Sequence, residues 1–122
     1  MKWLAAFILV IIVPVMLTYA GEADVVKVNV VTAGERTYRF DVTLRHDDTG
    51  WDHYADKWEV VLLDGTVLGT RKLLHPHVNE QPFTRSLSGV RIPNNIQQVL
   101  VRAHDSVHAY GGQVLTVDLP AK

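Results

Sequence analysis

The sequence predicts an all-β protein, an antiparallel two-sheet sandwich of the immunoglobulin-like or fibronectin-III-like type with about seven strands. Short segments alternate apolar and polar residues with a period of two, which is typical of strands with one buried face. Turn residues separate these segments at short intervals, and no segment of useful length has a helical period. About seven such strands in roughly a hundred residues favour a sandwich.

The first two predicted strands lie on either side of a turn at residues 33–36. Alternation begins at Val25, and Gly34 marks the turn by composition. The second strand has the clearest pattern in the chain. Its predicted inward residues are Tyr38, Phe40, Val42 and Leu44.

The third and fourth strands form a predicted hairpin around Asp64-Gly65, a strong turn signal. Trp58 begins the third strand and resembles the core tryptophan of immunoglobulin-like sandwiches. The sequence has no cysteine, so the disulfide of antibody domains is excluded. The same absence excludes the blue-copper site of a cupredoxin-like sandwich, the nearest competing fold.

The last three strands are predicted at residues 83–90, 98–103 and 113–119. Phe83 and Leu87 are expected to face inward. The loop at residues 104–112 then joins the last two strands as a hairpin. Its Gly111-Gly112 pair is expected to form a bulge or a turn that needs positive φ.

Residues 1–20 are predicted to be a signal peptide, followed by a single domain at residues 21–122. Met1-Lys2 is a positive start, an apolar run extends to Leu17, and cleavage is expected near Ala20. An uncleaved anchor is the alternative, although Pro14 disfavours a permanent helix. The expected location is therefore periplasmic or secreted, with membrane contact only through an uncleaved leader.

The charge balance excludes a broad electrostatic surface for polyanions. Lysine and arginine number 12, aspartate and glutamate number 13, and the formal net charge is −1. Like charges do not cluster in long runs, so neither nucleic acid nor an anionic membrane is predicted as a partner. The candidate partners are therefore a protein or a metal ion.

Three polar loops are predicted at one end of the sandwich. Successive antiparallel strands run in opposite directions, so the loops at residues 46–56, 75–82 and 104–112 share an end. All six histidines of the sequence lie in these loops. This end is therefore the predicted functional end.

The histidine spacing in these loops suits metal ligation. Imidazoles at positions i and i+2 of an extended chain point the same way, about 6.6 Å apart along the strand. Pro76 favours that conformation for the residue before it. A nitrogen-rich site of this kind suits Zn(II) or Cu(II). The predicted ligands are His75, His77, His104 and His108, with His53 as an alternate.

His46 is predicted to stay outside this site, because it ends a strand and has no paired imidazole in the sequence. Any single loop histidine is more often solvated or bonded to backbone than a ligand. The metal hypothesis therefore depends on the convergence of several histidines from different loops.

The same loop end supports a second hypothesis, a metal-free domain that contacts a protein or a glycan. The residues predicted to form this binding surface are Trp51, Asp52, Tyr54, Glu80, Asp105 and Tyr110. A metalloenzyme is a third interpretation, but spacing alone shows no open coordination position. The adjacent residues His104-Asp105-Ser106 cannot form a triad among themselves on extended backbone.

Three stretches carry a resemblance that covers most of the chain after the leader. They are GWDHYAD at residues 50–56, HPHVNEQPFTRSLSG at 75–89 and HDSVH at 104–108. In these stretches the sequence resembles a group of small exported bacterial β-sandwich proteins. The resemblance implies a periplasmic location and implies no activity.

Overall fold

The computed structural model describes residues 21–121, and the predicted leader at residues 1–20 lies outside them. Within these residues seven strands follow one another: β1 (Asp24–Gly34), β2 (Thr37–Arg45), β3 (Ala55–Val61), β4 (Val67–Lys72), β5 (Phe83–Arg91), β6 (Gln98–Asp105) and β7 (Leu115–Asp118). Across this part of the chain, no helix has the length and apolar character needed to cross a membrane.

The strands form two antiparallel sheets. One sheet has the order β1-β2-β5 and the other has the order β4-β3-β6-β7. In an immunoglobulin constant domain the fourth strand joins the sheet of the first two, whereas here β4 pairs with β3. The predicted all-β sandwich of about seven strands is confirmed.

The core lies between the two sheets, and β2 contributes alternate residues to it. On β2 the four predicted inward residues are all buried, and Phe40 is 0% exposed. Trp58 of β3 is likewise fully buried. Phe83 of β5 is buried, and Leu87 packs against the core from a partly buried position. On β2 the period of two in the sequence therefore identified the inner face correctly.

Two strands are longer than predicted at the loop end. β3 begins at Ala55 rather than at Trp58, and β6 continues to Asp105. The two extensions support each other, because Ala55 and Asp105 are partners in the β3–β6 register. As a result, Asp105 is held on a strand end rather than in a free loop.

The double glycine has two different roles. Gly111 has a positive φ of 156°, which agrees with the prediction for this pair. Gly112 instead allows a close approach, because a Cβ atom there would lie 2.0 Å from the Ala23 carbonyl oxygen. The β6–β7 loop is thus packed directly against the segment that precedes β1.

Candidate metal centre

The three polar loops meet at one end of the sandwich, as predicted. The backbone amide of His46 donates to Gln81 Oε1 over 3.0 Å, which joins the first loop to the second. The amide of Ser106 donates to the Tyr54 carbonyl over 3.0 Å, which joins the third loop to the first. The loop end is therefore one connected structure.

His46 is placed at the centre of this end by strand pairing. It follows Arg45, the last residue of β2, and Arg45 pairs with Asp24 at the start of β1. The register therefore brings His46 next to the segment that precedes β1. Its side chain is fully buried, and Nδ1 lies 2.5 Å from Asp48 Oδ1.

Asp48 orients the His46 ring. The carboxylate also accepts hydrogen bonds from two backbone amides, those of Ala55 at 3.0 Å and His77 at 2.7 Å. Burial raises the pKa of Asp48, but the bond from His46 and these two amides outweigh it, so the pKa lies below its usual value. An ionised Asp48 only accepts. The proton of a neutral His46 therefore sits on Nδ1, and its lone pair is on Nε2.

Three electron-rich atoms surround this Nε2. The Gly21 carbonyl oxygen lies 3.0 Å away, His53 Nε2 lies 3.2 Å away, and Asp105 Oδ2 lies 3.9 Å away. Lone pairs that face one another repel unless a proton or a cation lies between them. The geometry around His46 Nε2 thus calls for a proton or a cation between these atoms.

His53 reaches this point from a tight turn. Its amide donates to the Gly50 carbonyl over 3.2 Å, and its carbonyl accepts from the Thr49 amide over 3.0 Å. Its Nε2 also lies 3.2 Å from Asp105 Oδ1. The His53 side chain is 14% exposed, whereas that of Asp105 is fully buried, so His53 lies on the solvent-facing side of the group.

Asp105 carries the least satisfied atom of the group. Its Oδ1 accepts from the Val107 and His108 amides over 2.8 and 2.7 Å. Its Oδ2 is buried without a hydrogen-bond partner within residues 21–121. Burial raises the pKa of Asp105, but the two amides and the nearby histidines outweigh it and lower the pKa. A buried carboxylate with a free oxygen is costly unless a cation is bound.

The pKa of His46 reflects the same charge balance. Burial lowers this pKa. The hydrogen bond and the charge of Asp48 oppose burial, and the charge of Asp105 and the hydrogen bond to the Gly21 carbonyl act in the same direction as Asp48. Together they outweigh burial, so the pKa of His46 lies above 6.5. The site therefore favours a positive charge at Nε2. A second proton or a metal ion would supply it.

The spacing of the donor atoms fits a metal ion. Ligand atoms of His46, His53 and Asp105 all lie within 4.8 Å of one another. Around a tetrahedral ion with bonds of about 2.0–2.1 Å, neighbouring ligand atoms are about 3.3 Å apart. The measured separations of 3.2 and 3.9 Å bracket that value. The Asp48–His46 bond also matches the carboxylate–histidine arrangement that orients metal ligands.

The predicted ligands separate into three groups in the structure. His53 belongs to the donor group, and His108 lies beside it, with Nδ1 3.3 Å from Asp105 Oδ1. His104 instead pairs with Asp56, at 2.6 Å. The structure thus brings His53 and His108 together and places His104 in another interaction.

The His75–His77 pair forms a contact of its own. The two ring centroids are 4.7 Å apart, so the imidazoles are adjacent as predicted. His77 Nε2, however, accepts a hydrogen bond from Arg85 over 2.9 Å, and its ring stacks on Phe83. The lone pair that would bind a metal is therefore engaged by a guanidinium.

The expectation that His46 lacks a paired imidazole is wrong. Its ring centroid is 4.7 Å from that of His53. The pairing depends on the β1–β2 register and on the turn before His53, neither of which spacing reveals. One local signal was present, because His46 and Asp48 stand at i and i+2, the same spacing as the His75–His77 pair.

The predicted binding-loop residues are spread over the same end. Trp51 is 67% exposed and packs edge-on against Tyr54 at 5.5 Å. Glu80 lies 3.2 Å from Arg85, and Asp52 is exposed. Tyr110 donates its hydroxyl to Glu59 over 2.9 Å. Apart from Asp105, these residues lie outside the donor group.

Comparison with known proteins gives a relative that matches most of the chain. No protein-family model matches the chain, and no solved structure matches it. A protein of Halomicrobium mukohataei described as "Putative lipoprotein" is 50% identical over 97 residues, which are 80% of this chain and 47% of the relative. The chain therefore spans about half the length of this relative.

Proposed function

We propose that the protein is an exported module that binds a transition metal, Zn(II) or Cu(II), at one end of its β-sandwich. The protein ligands are His46, His53 and Asp105, and His108 stands next to them as a further imidazole. Two nitrogens and one carboxylate oxygen suit either ion. Binding, rather than a reaction, is the function proposed.

One observation carries this proposal, the unpartnered Oδ2 of Asp105. This oxygen is buried and lies 3.9 Å from His46 Nε2. The same nitrogen also lies close to the Gly21 carbonyl oxygen and to His53 Nε2. A buried polar atom without a partner costs about 1–3 kcal/mol, and more when charged. A bound cation removes both the cost of the unpartnered oxygen and the repulsion between the lone pairs around His46 Nε2.

Two features support export. Residues 1–20 have the charge and apolar pattern of a secretory leader. The half-identical relative is described as a lipoprotein, a class of exported or membrane-anchored proteins. The proposed location is therefore periplasmic or secreted.

Metal titration of purified protein, prepared without a nickel column, tests the proposal. We expect one equivalent of Zn(II) or Cu(II) to bind by calorimetry. Asp105→Asn removes the charge of one ligand and His46→Ala removes another ligand, so each should weaken binding about tenfold or more, at least the loss seen when a partner of a metal ligand is changed. His104→Ala is the control, because His104 belongs to the ligand set predicted from the sequence but not to the donor group in the structure. We expect this variant to bind metal like the parent. Binding that survives in the His46→Ala and Asp105→Asn proteins would refute this site.

A second candidate function, recognition of a protein or glycan, is favoured by the exposure of Trp51. Trp51 is 67% exposed, whereas tryptophan is highly buried on average. Tyr54 supports it from the side. If the parent captures a glycan or a protein in binding screens, Trp51→Ala should abolish that capture. A parent that captures no glycan and no protein would contradict this function.

A further inference from the structure

We infer that removal of the leader completes the metal site, because the freed α-amino group of Gly21 becomes a ligand beside His46. This inference rests on the proposed metal site and on cleavage after Ala20. It assigns a role to the new N-terminus, which would chelate the ion together with its own carbonyl oxygen.

The starting observation is the position of the Gly21 carbonyl. Its oxygen lies 3.0 Å from His46 Nε2, on the side where the lone pairs converge. Within one residue, the backbone nitrogen and the carbonyl oxygen are roughly 3 Å apart. The Gly21 nitrogen therefore lies within roughly 6 Å of the imidazole nitrogen.

The chemistry changes when the peptide bond to residue 20 is cut. A peptide nitrogen shares its lone pair with the carbonyl group, so it is a poor ligand. A free amine has an available lone pair, and with the Gly21 carbonyl oxygen it closes a five-membered ring through the metal. Gly21 has no side chain that could occupy the space beside the buried His46.

The segment that carries Gly21 is held firmly in place. Ala23 is 1% exposed, and the Val25 amide donates to the Gln113 carbonyl over 3.0 Å. The Gln113 amide in turn donates to Asp24 Oδ1 over 2.7 Å. Gly112 lies so close to the Ala23 carbonyl that no side chain fits between them. The N-terminal segment therefore meets the cluster in a defined position.

The first measurement is the mass of the protein exported by cells that express the full chain. The inference requires a chain that begins at Gly21. A mature protein that begins elsewhere, or that keeps its leader, overturns it.

The second measurement compares Cu(II) and Zn(II) affinity between two proteins, one that begins at Gly21 and one that keeps Tyr19-Ala20. The sandwich core consists of residues after position 22, so both are expected to fold. The protein that begins at Gly21 should bind the metal at least about tenfold more tightly than the protein that keeps Tyr19-Ala20. Changing a residue that supports a metal ligand has an effect of about this size. Its Cu(II) electron paramagnetic resonance spectrum should show one more nitrogen ligand.

The outcomes separate this inference from the proposed function. Equal affinity in the two proteins overturns the amine ligand and leaves the His46 site intact. No binding by either protein refutes both. Gly112→Ala in the protein that begins at Gly21 should also weaken binding, since it displaces residues 21–24 without touching an imidazole. Unchanged affinity in a folded Gly112→Ala protein would contradict a fixed N-terminus.

Discussion

Asp48 shows how one buried carboxylate can hold a whole loop end. It accepts from the His46 ring, the Ala55 amide and the His77 amide, which belong to three different segments of the chain. None of these donors has water as an alternative, because all three hydrogen bonds are buried. The position of the His46 ring, and hence the metal site, depends on this residue.

Asp48→Ala should lower the free energy of unfolding by at least about 3 kcal/mol, because three buried donors lose their acceptor at about 1–3 kcal/mol each. Chemical denaturation measures the loss. Asp47→Ala is the matched control, since Asp47 is exposed, and it should change stability by less than about 0.5 kcal/mol. Similar losses in both variants would contradict the role given to Asp48.

His77 is a buried histidine that the fold keeps neutral. Burial, then the charges of Arg85 and His75, lower its pKa below 6.5. The unfolded chain therefore takes up a proton at this histidine at a higher pH than the folded chain does. Its contribution to stability is complete above about pH 6.5 and declines as the pH falls toward the lower folded pKa.

His77→Gln tests this direction. The glutamine oxygen can still accept from Arg85, but it does not titrate. We expect the variant to be less stable than the parent at pH 8 and the difference to shrink as the pH falls to 5. Urea denaturation at several pH values gives the two curves. A difference that is constant, or that grows toward low pH, would show that His77 is not held neutral.

At the scale of elements, the contact between the β6–β7 loop and the segment before β1 connects both sheets. Val25 belongs to the first sheet and Gln113 lies just before β7 of the second. Gly112 permits this contact because it has no side chain. From the sequence, the two glycines were predicted only as a bulge or turn. The close contact at Gly112 was not predicted, because packing between segments 89 residues apart leaves no local sequence pattern.

Gly112→Ala should destabilise the protein by about 1–3 kcal/mol, the usual cost of an added methyl group in a packed position. Thermal unfolding measures the change. Val114→Ala is the control in the same loop, because Val114 is 44% exposed. A Gly112→Ala protein as stable as the parent would mean that the segment before β1 can move away freely.

At the scale of the whole molecule, prediction from the sequence succeeded where the physical cause is local. Alternation identified the buried face of β2 and the core position of Trp58, because side chains on a strand point to opposite faces in turn. The partnership of His46 with His53 depends instead on strand register and on a tight turn. It therefore could not be predicted from spacing, which favoured the His75–His77 pair.

The donor group also joins the two sheets, which gives metal binding a global consequence. His46 follows β2 of the first sheet, whereas His53 precedes β3 and Asp105 ends β6 of the second sheet. An ion bound to all three would link the layers directly. A ligand that binds only the folded state stabilises it by about 2.7 kcal/mol at a hundredfold excess over Kd.

We therefore expect Zn(II) to raise the melting temperature and to slow hydrogen exchange in strands of both sheets, not only in the loops. Exchange measured by mass spectrometry should show added protection in β2 and β6 together, because opening either strand breaks the same site. His46→Ala should remove the effect in both strands. Protection confined to residues 46–54 would mean that the ion binds a surface loop and does not bridge the sandwich.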